Sequence, residues 1–249
     1  MTTTARSPDP ADEHRHHPPA APSASSWEER FEFEFTTLTG DLAGYVVVTL
    51  RPSERRSWYW AALVGWTQPF LSVVDNDAPL PGHGLLLRGH ALWADHICET
   101  PLEHWTVANE VYAVALAEPG DAWAHQRGDL VPLAFDLEFE NDASEVDALV
   151  SGGTVELVAA RCRVIGEIHV GSDQLEIDAT GRRRHRWGPH DWSAAAGTRA
   201  TRAAAGAVIH RAPVLLETDG VRHRIERALV RSAPDGPRWH EWIEPESSP

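Results

Sequence analysis

Residues 31–35 read Phe-Glu-Phe-Glu-Phe, so apolar and acidic side chains alternate with a period of two. Because successive side chains of a β-strand point to opposite faces, this stretch predicts a strand with one buried face. Two strongly apolar stretches follow, residues 42–50 and 58–66, and a Pro-containing turn separates them. This order predicts that a β-hairpin follows the first strand.

The same pattern of short strands and turns continues along the chain. Phe135, Leu137 and Phe139 again alternate with acidic residues, and Gly171 begins a predicted turn between two further strands. No stretch keeps the periodicity of a helix. The pattern therefore predicts an all-β fold, a lipocalin-like antiparallel barrel or sandwich, which two pseudo-repeated β halves could build.

The ends of the chain and its middle differ in composition from the strands. Residues 1–26 are rich in Pro, Ala, Ser and Asp, which predicts a disordered N-terminal tail. Residues 141–153 are first acidic and then glycine-rich, which is typical of a boundary. We therefore expect a first β half at residues 27–145 and a second at residues 146–245.

The net charge restricts the class of partner. The 249 residues carry a formal charge of −15, which argues against binding to nucleic acid and to anionic membrane surfaces. No window is apolar for long enough to span a membrane, and the N-terminus lacks the apolar core of a secretory signal. We expect a cytoplasmic protein, and the sequence leaves its oligomeric state open.

Every cationic side chain other than histidine is arginine, because the chain contains no lysine. This excludes a Schiff-base lysine and the lysine of a phosphate-binding loop. The chain also lacks the glycine pattern of dinucleotide-binding proteins and the nucleophile elbow of serine hydrolases. We therefore expect no cofactor.

Residues 181–192 read Gly-Arg-Arg-Arg-His-Arg-Trp-Gly-Pro-His-Asp-Trp and are the strongest candidate for a site. Aromatic walls with a few polar groups are typical of ligand pockets. His185, His190 and Asp191 are the candidate catalytic residues, because a histidine near a carboxylate moves protons near neutral pH. The Gly188-Pro189 pair predicts a turn that brings His185 and Asp191 together.

Three further residues of this motif are candidate binding residues, namely Trp187, Trp192 and Arg183. Indole rings can line an apolar pocket and stabilise positive charge by cation–π contact. An alternative interpretation is structural. In that interpretation the tryptophans belong to the core and the arginines pair with acidic strands.

Residues 93–105 hold a second cluster of polar and aromatic side chains, of which Glu99, Glu103 and Trp105 are candidate binding residues. We expect Glu99 and Glu103 to pair with the arginines of the motif, because buried arginines need partners. An iron site built from His96, His104 and Glu99 is conceivable. The spacing matches no established metal motif, so we expect no metal.

The motif resembles the signature GxGxRDHSWGxRDW of bacterial domains of the DUF7064 type. Its inner part is similar to the DHxWG motif of carotenoid 1,2-hydratase and AttH-like proteins, whose fold is a pair of lipocalin-like barrels. Residues 98–105, residues 127–137 and residues 162–167 resemble further segments of the family. The resemblance covers the chain from about Trp60 to Trp192 and implies a lipocalin-like fold.

The family pattern has an aspartate before the motif histidine, and this chain has Arg184 there. The resemblance implies that this aspartate donates a proton to an alkene in the hydratases, and an arginine cannot do so because it stays protonated. Two hypotheses follow. Either the chain binds a terpenoid- or polyketide-type molecule and acts on it by acid–base chemistry, with Asp191 or Glu99 as the acid, or it is a non-catalytic carrier or sensor.

Overall fold

A computed structural model describes residues 3–18, 27–65, 70–124, 127–190, 192, 206–218, 220–232 and 236–244. The strands are β1 (Thr4–Arg6), β2 (Trp27–Thr36), β3 (Ala43–Arg51), β4 (Arg56–Val64), β5 (Phe70–Pro79), β6 (Leu85–Gly89), β7 (Leu92–Thr100), β8 (His104–Leu116), β9 (Asp129–Glu140), β10 (Val146–Ser151), β11 (Thr154–Val170), β12 (Asp173–Pro189), β13 (Ala207–Arg211), β14 (Val214–Thr218), β15 (Val221–Ser232) and β16 (Gly236–Glu244). Short helical turns occupy Pro10–Glu13, Pro52–Glu54, Asp121–Ala124 and Ala143–Glu145. Among the described residues, no helix has the length and apolar character that a membrane crossing requires.

Eight antiparallel strands pair in a closed ring, in the order β2, β3, β4, β5, β8, β9, β11, β12 and back to β2. Within the ring, each strand pairs with the ring strand that follows it in the chain, and β12 pairs with β2. The hairpin β6–β7 lies outside the ring, where β7 pairs with β8. Closure removes the unpaired edges of these strands. The predicted all-β class and lipocalin-like barrel are confirmed.

The strands β13 to β16 form a second, smaller sheet that covers the outside of β2, β3 and β4. Tyr45, Val47 and Trp60 of the barrel pack there against Leu216 and Trp239 of the second sheet. Both faces of β3 and β4 are therefore buried. This explains why β3 and β4 read as continuous apolar runs, whereas β9 has an outer face open to solvent and alternates.

The expected division of the chain at residue 145 differs from the division between the two sheets. Strand β11, on the far side of that boundary, pairs with both β9 and β12 and so completes the ring. The second sheet begins only after residue 206. The barrel therefore uses strands from both of the expected halves.

The predicted disordered tail at residues 1–26 is wrong for residues 3–18. Strand β1 pairs with β10, and the following turn buries Glu13, whose carboxylate accepts a hydrogen bond from Arg183. Composition predicted disorder because the segment has few apolar side chains to bury. Contacts with residues far along the chain hold it instead. The predicted tail residues 19–26 lie outside the described residues.

Candidate functional site

The motif lies on the C-terminal half of β12, which pairs with β2 from residue 180 to residue 189. The turn predicted at Gly188-Pro189 is wrong, because β12 continues through Pro189. Gly188 has a φ of +136°, and a Cβ atom there would lie 2.7 Å from the Cα atom of Thr154. The glycine is thus needed for the close approach of β11 rather than for a reversal of the chain.

The two histidines of the motif lie on opposite sides of β2. His185 contacts Glu29, whose side chain points into the barrel together with Phe31. His190 lies on the other side, where its Nδ1 atom is 3.9 Å from a carboxylate oxygen of Glu28. Neighbouring residues of a strand face opposite sides, so Glu28 and Glu29 separate the two histidines. The third predicted catalytic residue, Asp191, lies outside the described residues.

The inner pair is tightly packed. The Nε2 atom of His185 lies 2.9 Å from Oε1 of Glu29, and both side chains are almost fully buried. The ring of His185 stacks on Phe31 at a centroid distance of 3.9 Å. Trp187, the predicted binding residue two positions along β12, shares this face and lies 4.8 Å from the His185 ring.

Burial changes the protonation of both members of the inner pair. Burial raises the pKa of Glu29 to about 7, although a hydrogen bond from the backbone N–H of His16 opposes this shift. Burial also lowers the pKa of His185 to about 3. At neutral pH His185 is therefore neutral and the carboxyl group of Glu29 is close to half protonated. Such a group can give or take a proton near physiological pH.

The N-terminal segment, residues 3–18, covers the inner pair formed by His185 and Glu29. The ring of His16 stacks on Trp187 at 3.8 Å with an angle of 10° between the planes. Glu13 accepts hydrogen bonds from Arg183 and from the indole N–H of Trp105. The predicted binding residues Arg183 and Trp105 thus hold the segment in place.

His16, Glu29 and His185 could also hold a metal ion, since one ligand atom from each lies within 4.8 Å of the other two. Two histidines and a carboxylate form a ligand set suited to divalent iron or zinc. The sequence prediction of no metal did not consider this group, because His16 and Glu29 lie far from the motif in the chain. Its ligand atoms are brought together by the N-terminal segment and by the pairing of β12 with β2.

A cavity of about 240 Å³ lies beside this cluster. Phe31 and Trp105 form part of its wall, and Glu13 of the N-terminal segment closes one side. His96 also lines the cavity. Its side chain is buried, and neither ring nitrogen has a hydrogen-bond partner among the described residues. Burial lowers its pKa to about 3, although the backbone of Asp95 opposes this shift, so the ring is neutral and carries one donor and one acceptor.

The outer face of β2 carries a separate cluster of charges between the barrel and the second sheet. Glu28 accepts hydrogen bonds from Arg186 at 2.7 Å and from the indole N–H of Trp192 at 3.0 Å. Burial lowers the pKa of the neighbouring His190 to about 4. Trp192, predicted to bind ligand, therefore packs in the interface between the two sheets, and its ring contacts Trp58.

The prediction that Glu99 and Glu103 pair with the motif arginines is wrong. The described ion-pair partners of Arg183, Arg184 and Arg186 are acidic residues of the N-terminal segment and of β2, namely Glu13, Glu28, Glu32 and Glu34. Glu99 and Glu103 are exposed. The pairing of β12 with β2 places Arg184 opposite Glu32, so the arginine meets an acid of the neighbouring strand.

The conceivable iron site at His96, His104 and Glu99 does not form. His96 points into the barrel, whereas Glu99 is exposed and accepts a hydrogen bond from Thr106. His104 contacts Glu138 on the outer face of the sheet. His96 therefore lies apart from Glu99 and His104, because successive side chains of a strand point to opposite faces of the sheet.

Glu29 was not considered in the sequence interpretation, and His96 entered it only as part of the conceivable iron site. Glu29 shares a strand face with Phe31, Phe33 and Phe35, so it places a carboxyl group on an otherwise apolar face. A charged residue in phase with a buried aromatic row is a signal of an unusual environment. His96 carries the same signal, because it alternates with exposed residues of β7.

Solved structures that resemble the chain share little sequence with it. The crystal structure of CghA matches with a TM-score of 0.39 and 12% identity over 89% of this chain and 58% of that chain. CghA with Sch210972 matches with a TM-score of 0.38 and 10% identity over the same shares. An AttH-like protein from Nitrosomonas europaea matches with a TM-score of 0.36 and 9% identity, over 90% of this chain and 69% of that one. The chain thus spans less than two thirds of CghA.

A comparison with curated proteins finds no match. The profile of one family, described as Domain of unknown function (DUF7064), matches residues 9–222. This range includes the strands of the barrel, the motif, and the N-terminal residues His16 and Glu13 that cover the inner pair. The resemblance seen in the sequence is confirmed, and the chain belongs to the DUF7064 family.

Proposed function

We propose that this protein binds a small, largely apolar molecule inside the barrel, and that His96 recognises one polar group of that molecule. The observation that carries the proposal is the buried imidazole of His96, which lines the cavity and makes no well-formed hydrogen bond among the described residues, although the backbone of Asp95 lies near enough to raise its pKa. A buried polar group without a partner costs free energy. A ligand that supplies a hydroxyl or carbonyl group would remove that cost.

The lining of the cavity supports an apolar body for the ligand. Phe31, Leu85 and Trp105 are buried side chains of its wall. The ring of His96 is itself held in position between aromatic neighbours, Tyr59 at 6.1 Å and Phe33 at 5.8 Å. The lining also includes ionisable residues, namely Glu13, His14, Arg15, His83 and Asp95. An apolar wall with a few positioned polar groups is the usual composition of a small-molecule site. The terpenoid or polyketide type inferred from the family resemblance fits this description.

We expect 2-naphthol, a neutral and fluorescent probe with one hydroxyl group, to bind saturably to the wild-type protein. His96→Leu should weaken its affinity about tenfold, because one hydrogen bond is worth about 1.4 kcal/mol at most in such a site. Fluorescence titration measures both constants. The substitution should not unfold the protein, since leucine suits the buried surroundings of the ring and the contact that it removes, with the backbone of Asp95, is not a well-formed hydrogen bond.

His90→Leu provides the matched control, because His90 is an exposed histidine in the turn between β6 and β7. It should leave the affinity for 2-naphthol unchanged. The proposal fails if a panel of neutral aromatic and terpenoid alcohols, including 2-naphthol, shows no saturable binding. It also fails if His96→Leu and His90→Leu bind the probe equally well.

A second candidate function is acid–base chemistry on the bound molecule by Glu29 and His185. Phe31 joins the two parts of the site, because its ring lines the cavity and stacks on His185. The pKa of about 7 at Glu29 favours this candidate, since a carboxylic acid that is half protonated at neutral pH is an effective proton donor and acceptor. Hydration, isomerisation and cyclisation of an alkene all begin with such a proton transfer.

Incubation with geraniol in D₂O distinguishes catalysis from simple carriage. Reversible protonation of a double bond by Glu29 would place deuterium on carbon, which mass spectrometry detects. Glu29→Gln should abolish this incorporation while leaving the binding of 2-naphthol intact. Binding without any incorporation by the wild-type protein would favour the carrier or sensor.

A further inference from the structure

A second concave region lies between the barrel and the smaller sheet, apart from the interior cavity. It encloses about 330 Å³ between residues 34–36, 160–162 and 180–182 of the barrel and residues 237–239 of β16. Pro237 and Trp239 of β16 give it an apolar and aromatic wall, and Trp239 is buried. We call this region the intersheet groove. It shares no lining residue with the cavity beside His96.

Three arginines from three different strands line the intersheet groove, namely Arg161, Arg182 and Arg238. Arg161 lies where the pairing of β11 with β12 shifts register between Ala159 and Cys162. Such a bulge changes the direction of a side chain relative to a regular strand. The groove therefore collects positive charge in a chain whose net charge is −15.

The acidic side chain in the described lining of the groove, Glu34, is already engaged, because it accepts hydrogen bonds from Arg184 and Arg227. The Nε atom of Arg182 is buried and has no hydrogen-bond partner among the described residues. A buried donor without a partner costs free energy, so an anion that accepts from this nitrogen would be stabilising.

Two neighbouring basic groups have lowered pKa values. Burial lowers the pKa of Arg182 and Arg184 lowers it further, whereas Glu34, Glu156 and Glu32 oppose the shift. On β16, burial lowers the pKa of His240; Glu34 opposes this shift, and Arg182 and Arg238 add to it. Cations lower the pKa of a basic group because they disfavour its charged form.

We propose that the intersheet groove binds a small organic anion, a carboxylate with a flat apolar body. Arg182 would bind the carboxylate from the barrel side, and Arg161 would close over it from the bulge of β11. Guanidinium and carboxylate groups form short, charge-assisted hydrogen bonds of well-defined geometry. The aromatic wall at Trp239 would receive the apolar body. This proposal is independent of the function proposed for the barrel interior.

The experiment uses 2-naphthoate, which has the ring system of 2-naphthol but carries a carboxylate. We expect saturable binding to the wild-type protein, measured by fluorescence titration or calorimetry, and a loss of at least about tenfold in affinity in Arg182→Met. Binding should also weaken as ionic strength rises from about 0.01 M to about 0.15 M, because the screening length falls from roughly 30 Å to roughly 8 Å.

Arg161→Met guards against a folding defect in Arg182→Met, because Arg161 is exposed and its loss should leave the fold intact. It should weaken 2-naphthoate binding as well. Arg163→Met is the matched control on the same strand, since Arg163 is exposed and contacts Asp178 outside the groove. It should bind the probe as the wild-type protein does. Equal affinities in all three variants, or no saturable binding of 2-naphthoate to the wild-type protein, would overturn the proposal.

The two probes separate this proposal from the function proposed for the barrel. His96→Leu should affect 2-naphthol and not 2-naphthoate, and Arg182→Met should have the opposite pattern. A loss of 2-naphthoate binding in His96→Leu, with Arg182→Met unaffected, would place the anion in the interior cavity and refute the groove as its site.

Discussion

Arg227→Met is expected to lower the free energy of unfolding by about 3–5 kcal/mol, the range observed when one partner of a buried ion pair is removed. Arg227 is fully buried between the barrel and the second sheet. Its guanidinium group donates to Glu34 at 2.7 Å and to Glu241 at 2.6 Å. Denaturant unfolding followed by tryptophan fluorescence measures the change.

The size of this effect follows from the balance of charge in the cluster. Three arginines, Arg30, Arg184 and Arg227, face three glutamates, Glu32, Glu34 and Glu241. Burial acts to raise the pKa of Glu32, but Arg184 and Arg30 hold it far below its usual range. Loss of one arginine leaves three buried carboxylates with two cations, so one of them must take up a proton or stay unpaired.

Arg222→Met is the control for Arg227→Met, because Arg222 lies on the same strand in an exposed pair with Glu217 at 3.2 Å. Surface pairs contribute about 0–1 kcal/mol, so its effect should be small. If Arg227→Met unfolds at the same denaturant concentration as Arg222→Met, the buried cluster does not stabilise the contact between the sheets.

Glu29→Gln should change how stability depends on pH. With its amide oxygen at the position of Oε1, glutamine can accept from the backbone N–H of His16 and, in the tautomer that protonates Nε2, from His185, but it cannot ionise. The variant should be more stable than the wild-type protein at pH 8 by about 3 kcal/mol, and the two should converge below pH 4.5. Thermal or denaturant unfolding at a series of pH values measures this difference.

The direction follows from linkage between protonation and folding. The pKa of Glu29 is about 7 in the fold and 4.5 ordinarily, so the folded state holds the proton more tightly than the unfolded state. The contribution of Glu29 to stability is complete below pH 4.5 and is lost as pH rises to 7. The difference of 2.5 between these two pKa values corresponds to about 3 kcal/mol at about 1.4 kcal/mol for each unit.

Buried histidines produce the opposite slope in the same pH range. His185, with a pKa of about 3 in the fold, takes up a proton only on unfolding, so it destabilises the protein as pH falls below its ordinary value of 6.5. This contribution is common to the wild-type protein and Glu29→Gln, so the difference between them isolates Glu29. Glu176→Gln, at an exposed position of β12, should show no pH-dependent difference. A constant offset for Glu29→Gln across the series would contradict the shifted pKa.

The sequence was informative where the signal is local. Alternation of Phe31, Phe33 and Phe35 with glutamates identified β2, and apolar runs identified β3 and β4. Both signals are local, because the burial pattern of a strand can be read from consecutive residues. The same local reasoning failed at Gly188-Pro189, where the predicted turn is a continuous strand. A glycine there serves the close approach of Thr154, and nothing near it in the sequence reports that contact.

The all-β class, the strand character of β2 and β9, and the position of His185 and Trp187 within the family motif could be read from the sequence alone. The carboxyl group that meets His185 could be identified only from the folded structure. Glu29 is 156 residues away in the chain, and it arrives because β12 closes the ring against β2. The N-terminal segment is ordered for the same reason, through contacts such as Glu13 with Arg183 across 170 residues. Strand periodicity depends on adjacent residues, whereas the pairing of buried charges depends on register between distant strands, which local sequence does not encode.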